Sequence, residues 1–92
     1  MRRAAKVDAN QGEVVASLRK IGAVVTSLHR VGQGVADLLV SYRQKWVLLE
    51  VKSSAKAKLT PDERLWISSQ NAPVYRVNSA EEAVEVVARL AP

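Results

Sequence analysis

The chain has 92 residues, 48% of them apolar and 25% charged, with a net charge of +5 and a pI near 10.0. That length fits one domain, 1–92, with a single modest core, and neither a low-complexity stretch nor a repeat of fixed period appears. The absence of cysteine rules out disulfides, thiolate zinc sites and cysteine nucleophiles, leaving carboxylates as the obvious ligands for a hard ion such as Mg²⁺ or Mn²⁺.

In chain order, Asp8-Ala9-Asn10-Gln11 has the spacing of a capping box, and Val14, Val15, Leu18 and Ile21 recur at helical intervals until Gly22 supplies a stop. Ala23 to Leu28 is rich in β-branched residues and predicts a short strand, with a loop from His29 to Gly34. Val35 to Tyr42 predicts a second strand, Arg43-Gln44-Lys45 a hairpin turn, and Trp46 to Lys52 a strongly apolar third strand. A basic loop, Ser53 to Leu59, leads to Thr60-Pro61-Asp62-Glu63, where an N-cap threonine, a first-position proline and a third-position glutamate open a helix running to about Gln70. Val74 to Val77 is a fourth strand. Ser79-Ala80-Glu81-Glu82 caps a last helix with Val84, Val87, Ala88 and Leu90 on one side. The order αβββαβα predicts an α/β fold: a mixed four-stranded sheet flanked by helices, one hairpin antiparallel and one crossover parallel.

No run of about 18 apolar residues is present, and Met1-Arg2-Arg3 leads into a polar helix rather than a signal-peptide core. A cytoplasmic protein with no membrane contact is therefore expected. Its basic excess favours a polyanionic partner such as DNA.

Side chains alternate across a strand, so Val47, Leu49 and Val51 share one face of the third strand while Glu50 and Lys52 share the other. With pairing centred on Gln44, Asp37 falls opposite Val51, between Glu50 and Lys52. Two carboxylates and a lysine then converge at one sheet edge. Such a set suits phosphodiester hydrolysis: the carboxylates and the Val51 carbonyl hold a divalent ion that activates water, and the lysine orients the nucleophile or stabilises the transition state. The competing reading is an exposed Glu50–Lys52 ion pair on an edge strand. Against it stands the apolar character of that strand, which predicts a central position where unpaired charge is costly.

Gly34 to Val40, the thirteen-residue step from Asp37 to Glu50, and Leu49-Glu50-Val51-Lys52 closely resemble the signature of the PD-(D/E)xK nuclease superfamily. Continuing through Lys58 to Trp66, the chain resembles the stand-alone VRR-Nuc type of phages and prophages, related to Holliday junction resolvases. The resemblance implies a restriction-endonuclease-like core and an Mg²⁺- or Mn²⁺-dependent DNA endonuclease acting as a homodimer, possible substrates being flapped or branched DNA. It assigns Asp37, Glu50 and the Val51 carbonyl to the metal, and Lys52 to catalysis. Ala36 departs from the proline common in the family before the first acid. Relatives also place a metal-facing glutamate in helix one. Gln11 falls there, on the same side as Val14, Leu18 and Ile21, whereas Glu13 points away. Gln11 is therefore the candidate contact, through water or phosphate, with a capping-box glutamine as the alternative.

Glu63 sits near the expected site but also completes a helix cap. Ser53, Ser54, Lys56 and Lys58 are candidate phosphate contacts, or else a solvated basic loop. His29 has no partner at metal spacing and reads as a loop residue able to touch DNA, while Trp46 and Trp66 read as core or interface residues. A catalytically silent nucleic-acid-binding or assembly module is the alternative function.

Overall fold

The computed structural model describes residues 10–90. Its elements are α1 (Gln11–Lys20), β1 (Val24–Ser27), β2 (Leu38–Tyr42), β3 (Lys45–Val51), α2 (Pro61–Ser68), β4 (Tyr75–Val77) and α3 (Ala80–Leu90). The strands form one mixed, open sheet in the order β1-β2-β3-β4, antiparallel except for the parallel pair of β3 and β4. Among the described residues no helix is long and apolar enough to cross a membrane.

The core lies on one face of this sheet. Val25, Leu38, Val40, Val47, Leu49, Val51 and Val77 pack there against Val14 and Leu18 of α1 and Ala83, Val86 and Val87 of α3. Burying each such side chain contributes about 1.5–3 kcal/mol relative to exposure, so this layer supplies most of the cohesion. Helix α1 ends as its sequence predicts: Gly22 takes φ +94°, its amide donates to the Arg19 carbonyl and the Ala23 amide to the Leu18 carbonyl, a Schellman closure. At its other end, Asn10 is the N-cap and Gln11 the first helical residue. Gln11 is therefore not the third-position partner of a capping box, and Asp8 lies outside the described residues.

Two expectations about the hairpin are corrected. The turn has two residues rather than three: Arg43 and Gln44 both take positive φ, +48° and +68°, the primed turn whose twist suits a tight hairpin, and Lys45 already pairs with Tyr42. The register is thereby shifted by one residue, with Leu38 opposite Leu49, so the line of pairing places Asp37 against Glu50 rather than Val51. A one-residue shift in a strand reverses faces. Here it puts both carboxylates on the same side of the sheet.

The second strand also starts at Leu38, not Val35. Its β1 partner ends at Ser27, and the Val51 amide bonds to the Asp37 side chain instead of to a facing carbonyl, so the ladder stops before Asp37. Helix α2 closes at Ser68. It has no buried residue and meets the second face of the sheet where that face carries Glu50 and Lys52.

Candidate active site

Asp37 and Glu50 meet at the end of the β2–β3 pair. The Val51 amide donates to Asp37 Oδ2 at 2.7 Å, and the Asp37 carbonyl accepts from the Leu28 amide at 2.8 Å, so the residue is held from both neighbouring strands. Glu50 is only 1% exposed, and its Oε1 has no hydrogen-bond partner. Strand β3 has neighbours on both sides, which overturns the edge-strand reading of this pair. Burial, reinforced by the charges of Asp37 and Glu63, pushes the Glu50 carboxyl up to about 9. A buried acid with one orphaned oxygen is costly. A proton on Glu50 meets that cost, because it lets the carboxyl bond to the neighbouring carboxylates of Asp37 and Glu63.

Lys52 is the cation beside it. Its Nζ lies 3.8 Å from Glu50 Oε2 and 2.7 Å from Glu63 Oε1, with the lysine itself nearly buried. The same Glu63 oxygen accepts the Thr60 amide at 2.8 Å while the Glu63 amide donates to Thr60 Oγ1, completing the capping box. The helix cap is thus present, and the same oxygen also meets the Lys52 ammonium. Burial alone raises the Glu63 carboxyl, but the hydrogen bonds from Lys52 and Thr60 and the Lys52 charge outweigh it and hold the group below its ordinary value.

The cap can reach the lysine because of Gly34. A Cβ at this residue would overlap the Asp62 carbonyl and come 2.7 Å from the Glu63 nitrogen, and its φ is +82°. Only glycine combines that backbone angle with that approach. The first turn of α2 is seated on it.

Gln11 is 6% exposed with its Oε1 unpaired, whereas Glu13 is exposed, matching the orientation read from helical periodicity. Asn10, which sequence reasoning passed over, donates through Nδ2 to the carbonyls of Lys52 (3.0 Å) and Asn78 (2.6 Å). It binds the start of α1 to the ends of β3 and β4. The Ser79 cap is present as expected, except that the Glu82 carboxylate takes the Asn78 amide rather than that of Ser79.

Ser53, Ser54, Lys56 and Lys58 are all exposed. Their loop is held by Arg76, whose Nη2 donates to the carbonyls of Ser54, Ala55 and Ala57. Arg76 sits opposite Glu50 on β4, and a lone arginine in a three-residue strand gave no signal of this task. His29 is partly buried and bonds through Nδ1 to Ser27 Oγ at 2.7 Å. Trp46 is 72% exposed and so is not a core residue; Trp66 is half-buried.

Among the described residues no three or more His, Cys, Asp or Glu side chains form a ready metal cage. A cation here would draw on Asp37, the orphaned Glu50 oxygen, the Val51 carbonyl and water, a hard-oxygen set that fits Mg²⁺ or Mn²⁺, since Mg²⁺ keeps several waters and takes few protein ligands. Comparison with protein families, curated proteins and solved structures finds no match to this chain.

Proposed function

We propose that the protein is a metal-dependent DNA endonuclease of the PD-(D/E)xK type, VRR-Nuc-like, with a restriction-endonuclease-like core. The observation that carries the reading is Glu50: a carboxyl buried to 1% exposure, one oxygen unpaired, facing a second carboxylate and a lysine. In this reading Asp37, Glu50 and the Val51 carbonyl hold Mg²⁺ or Mn²⁺, which supplies charge neutralisation and water activation at the phosphodiester. Lys52, fixed by Glu63, orients the attacking water or meets the charge that develops on the phosphate. Gln11 contributes through water or phosphate, and Ser53, Ser54, Lys56 and Lys58 track the DNA backbone.

The protein acts inside the cell as a homodimer. The support is a row across the second sheet face: Val24 pairs with Ser41 and Ser41 with Trp46, and both apolar ends are exposed, at 65% and 72%. A second copy covering that row would present two active sites to two strands. Sedimentation at micromolar concentration showing only monomer would remove this part.

A silent DNA-binding module of the same fold is the competing reading, favoured by the close ion pair that engages Lys52 with Glu63. Incubation with linear, flapped and four-way-junction DNA in Mn²⁺, Mg²⁺ or chelator separates the two. Metal-dependent cleavage lost in Asp37→Ala and Lys52→Ala is expected; binding without cleavage selects the silent module, and cleavage in chelator sinks the mechanism.

A further inference from the structure

The segment that follows Lys52, Ser53-Ser54-Ala55-Lys56-Ala57-Lys58, carries no acidic residue. The Ala57 amide donates to the Ser54 carbonyl at 3.2 Å, closing a four-residue turn with Ala55 and Lys56 at its corners. Arg76 lies where the carbonyls of this turn converge. Its Nη2 donates to the Ser54 carbonyl at 3.0 Å, to that of Ala55 at 3.2 Å and to that of Ala57. A trans peptide unit is planar, with its N–H pointing opposite to its C=O. Each carbonyl turned towards Arg76 therefore turns the amide of the next residue away from it. The amides so directed are those of Ala55, Lys56 and Lys58; none has an acceptor among the described residues, and all three residues are exposed.

Backbone N–H groups displayed by a turn bind anions, and phosphate oxygens are regularly met by such groups. The turn is tied to the carboxylate site from two directions: Lys52 directly precedes it in the chain, and Arg76 lies opposite Glu50 in the register of β3 and β4. We propose that Arg76 is a positioning residue for DNA, holding the 53–58 turn with its carbonyls inward so that the amides of Ala55, Lys56 and Lys58 meet phosphate oxygens of a strand passing Glu50 and Lys52. The strand and its path rest on the nuclease reading. The donors run along the chain, which suits successive oxygens of a strand better than one enclosed ion. Because Arg76 fixes them before the strand arrives, little ordering is left to oppose binding.

The isotopically labelled full-length protein, in chelator so that no strand is cut, is titrated with a short DNA duplex and with inorganic phosphate while its amide signals are followed by NMR. DNA should move the Ala55, Lys56 and Lys58 amides saturably, and inorganic phosphate should act there about tenfold or more weakly. Lys56→Ala combined with Lys58→Ala should weaken binding yet leave the three amides responding, since the main-chain donors remain. Arg76→Ala should keep the core signals, lower DNA affinity by about fivefold or more and abolish those responses. Arg89→Ala removes the same charge from the exposed end of α3 and should cost less than about twofold. Amides unmoved by DNA, equal affinity for inorganic phosphate, responses lost with the lysine side chains, or equal losses in Arg76→Ala and Arg89→Ala each overturn the assignment. The unaltered protein and the lysine variant decide even where Arg76→Ala does not fold. Cleavage in Mn²⁺ is scored separately: moved amides without cleavage keep the turn and select the silent module, and cleavage with unmoved amides keeps the nuclease and removes the turn.

Discussion

Gly34 lies so close to the first turn of α2 that a Cβ there would overlap the Asp62 carbonyl and come 2.7 Å from the Glu63 nitrogen, and the Glu63 carboxylate of that same turn lies 2.7 Å from the Lys52 ammonium. A methyl group on Gly34 would have to displace the first turn of α2 and also hold a backbone angle that L-residues avoid. Gly34→Ala is expected to destabilise the fold by about 2–4 kcal/mol. Urea unfolding measures it, and a midpoint unchanged from the parent would mean that α2 shifts freely and that the seat is unimportant.

Glu63 joins two jobs that can be separated. Glu63→Ala removes the cap acceptor and the close partner of a nearly buried lysine, and should cost about 2 kcal/mol or more. Glu63→Gln keeps an oxygen for the Thr60 amide and for Lys52 while removing the charge, so its stability loss should be the smaller of the two. Thermal melts of the pair test the order; equal losses would show that charge, not the hydrogen bonds, governs the site.

In chelator, the folded protein retains a proton on Glu50 up to about pH 9, whereas the unfolded chain releases it near 4.5. The folded state therefore binds the extra proton between those values, so the contribution of Glu50 to stability is fully present below about 4.5, falls as pH rises towards 9 and levels off beyond. Glu63 has the opposite sign, since its lowered carboxyl is deprotonated more readily when folded; its contribution is present above 4.5 and is lost on acidification through its folded value. Glu50→Gln should flatten the neutral-to-alkaline slope. Mn²⁺ should raise the melting temperature more at pH 8 than at pH 6, because the ion competes with the Glu50 proton. A metal effect independent of pH would place the ion elsewhere.

Arg76 holds the basic loop by three of its carbonyls, those of Ser54, Ala55 and Ala57. Arg76→Ala should leave the core intact but loosen residues 53–58, speeding trypsin cleavage after Lys56 and Lys58 by about tenfold, the equivalent of 1.4 kcal/mol of local ordering. An unaltered cleavage rate would assign the loop's order to something other than Arg76.

The β2–β3 turn places Arg43 and Gln44 in a conformation that suits asparagine and glycine better. Arg43→Asn combined with Gln44→Gly is expected to stabilise the protein by about 1 kcal/mol, part of it offset by losing the Arg43 guanidinium stacked 5.1 Å over the Tyr42 ring. Denaturant midpoints decide; destabilisation would mean that the stacking outweighs the backbone gain.

Elements with periodic apolar residues and local punctuation were legible from sequence: both flanking helices, the Thr60 cap and the central position of β3 follow from Val14, Leu18, Gly22, Thr60, Pro61 and the apolar run before Glu50. The register was not, because Arg43-Gln44 lacks the asparagine and glycine that announce a two-residue turn, and a slip of one residue there decides which face Asp37 shares. Tertiary tasks of single polar residues were invisible for a different reason. Asn10 and Arg76 act on carbonyls far away in the chain, and nothing local in the sequence marks a residue that serves a distant backbone. Glu63 lies between these cases: its spacing to Thr60 signalled the cap, while its bond to Lys52 depends on where Gly34 lets the helix sit.

The Asn10 amide reaches 42 residues forward to the Lys52 carbonyl and 68 to that of Asn78. Contacts spanning most of the chain form only after the entropy of closing those loops has been met, so they come late in folding. The end of β3 is thus clamped in its final place only when the opening helix and the last strand have both arrived. A chain in which β4 and Asn78 have not yet docked has no complete clamp on the Lys52 backbone, so the position of that lysine is among the last features of the fold to be fixed.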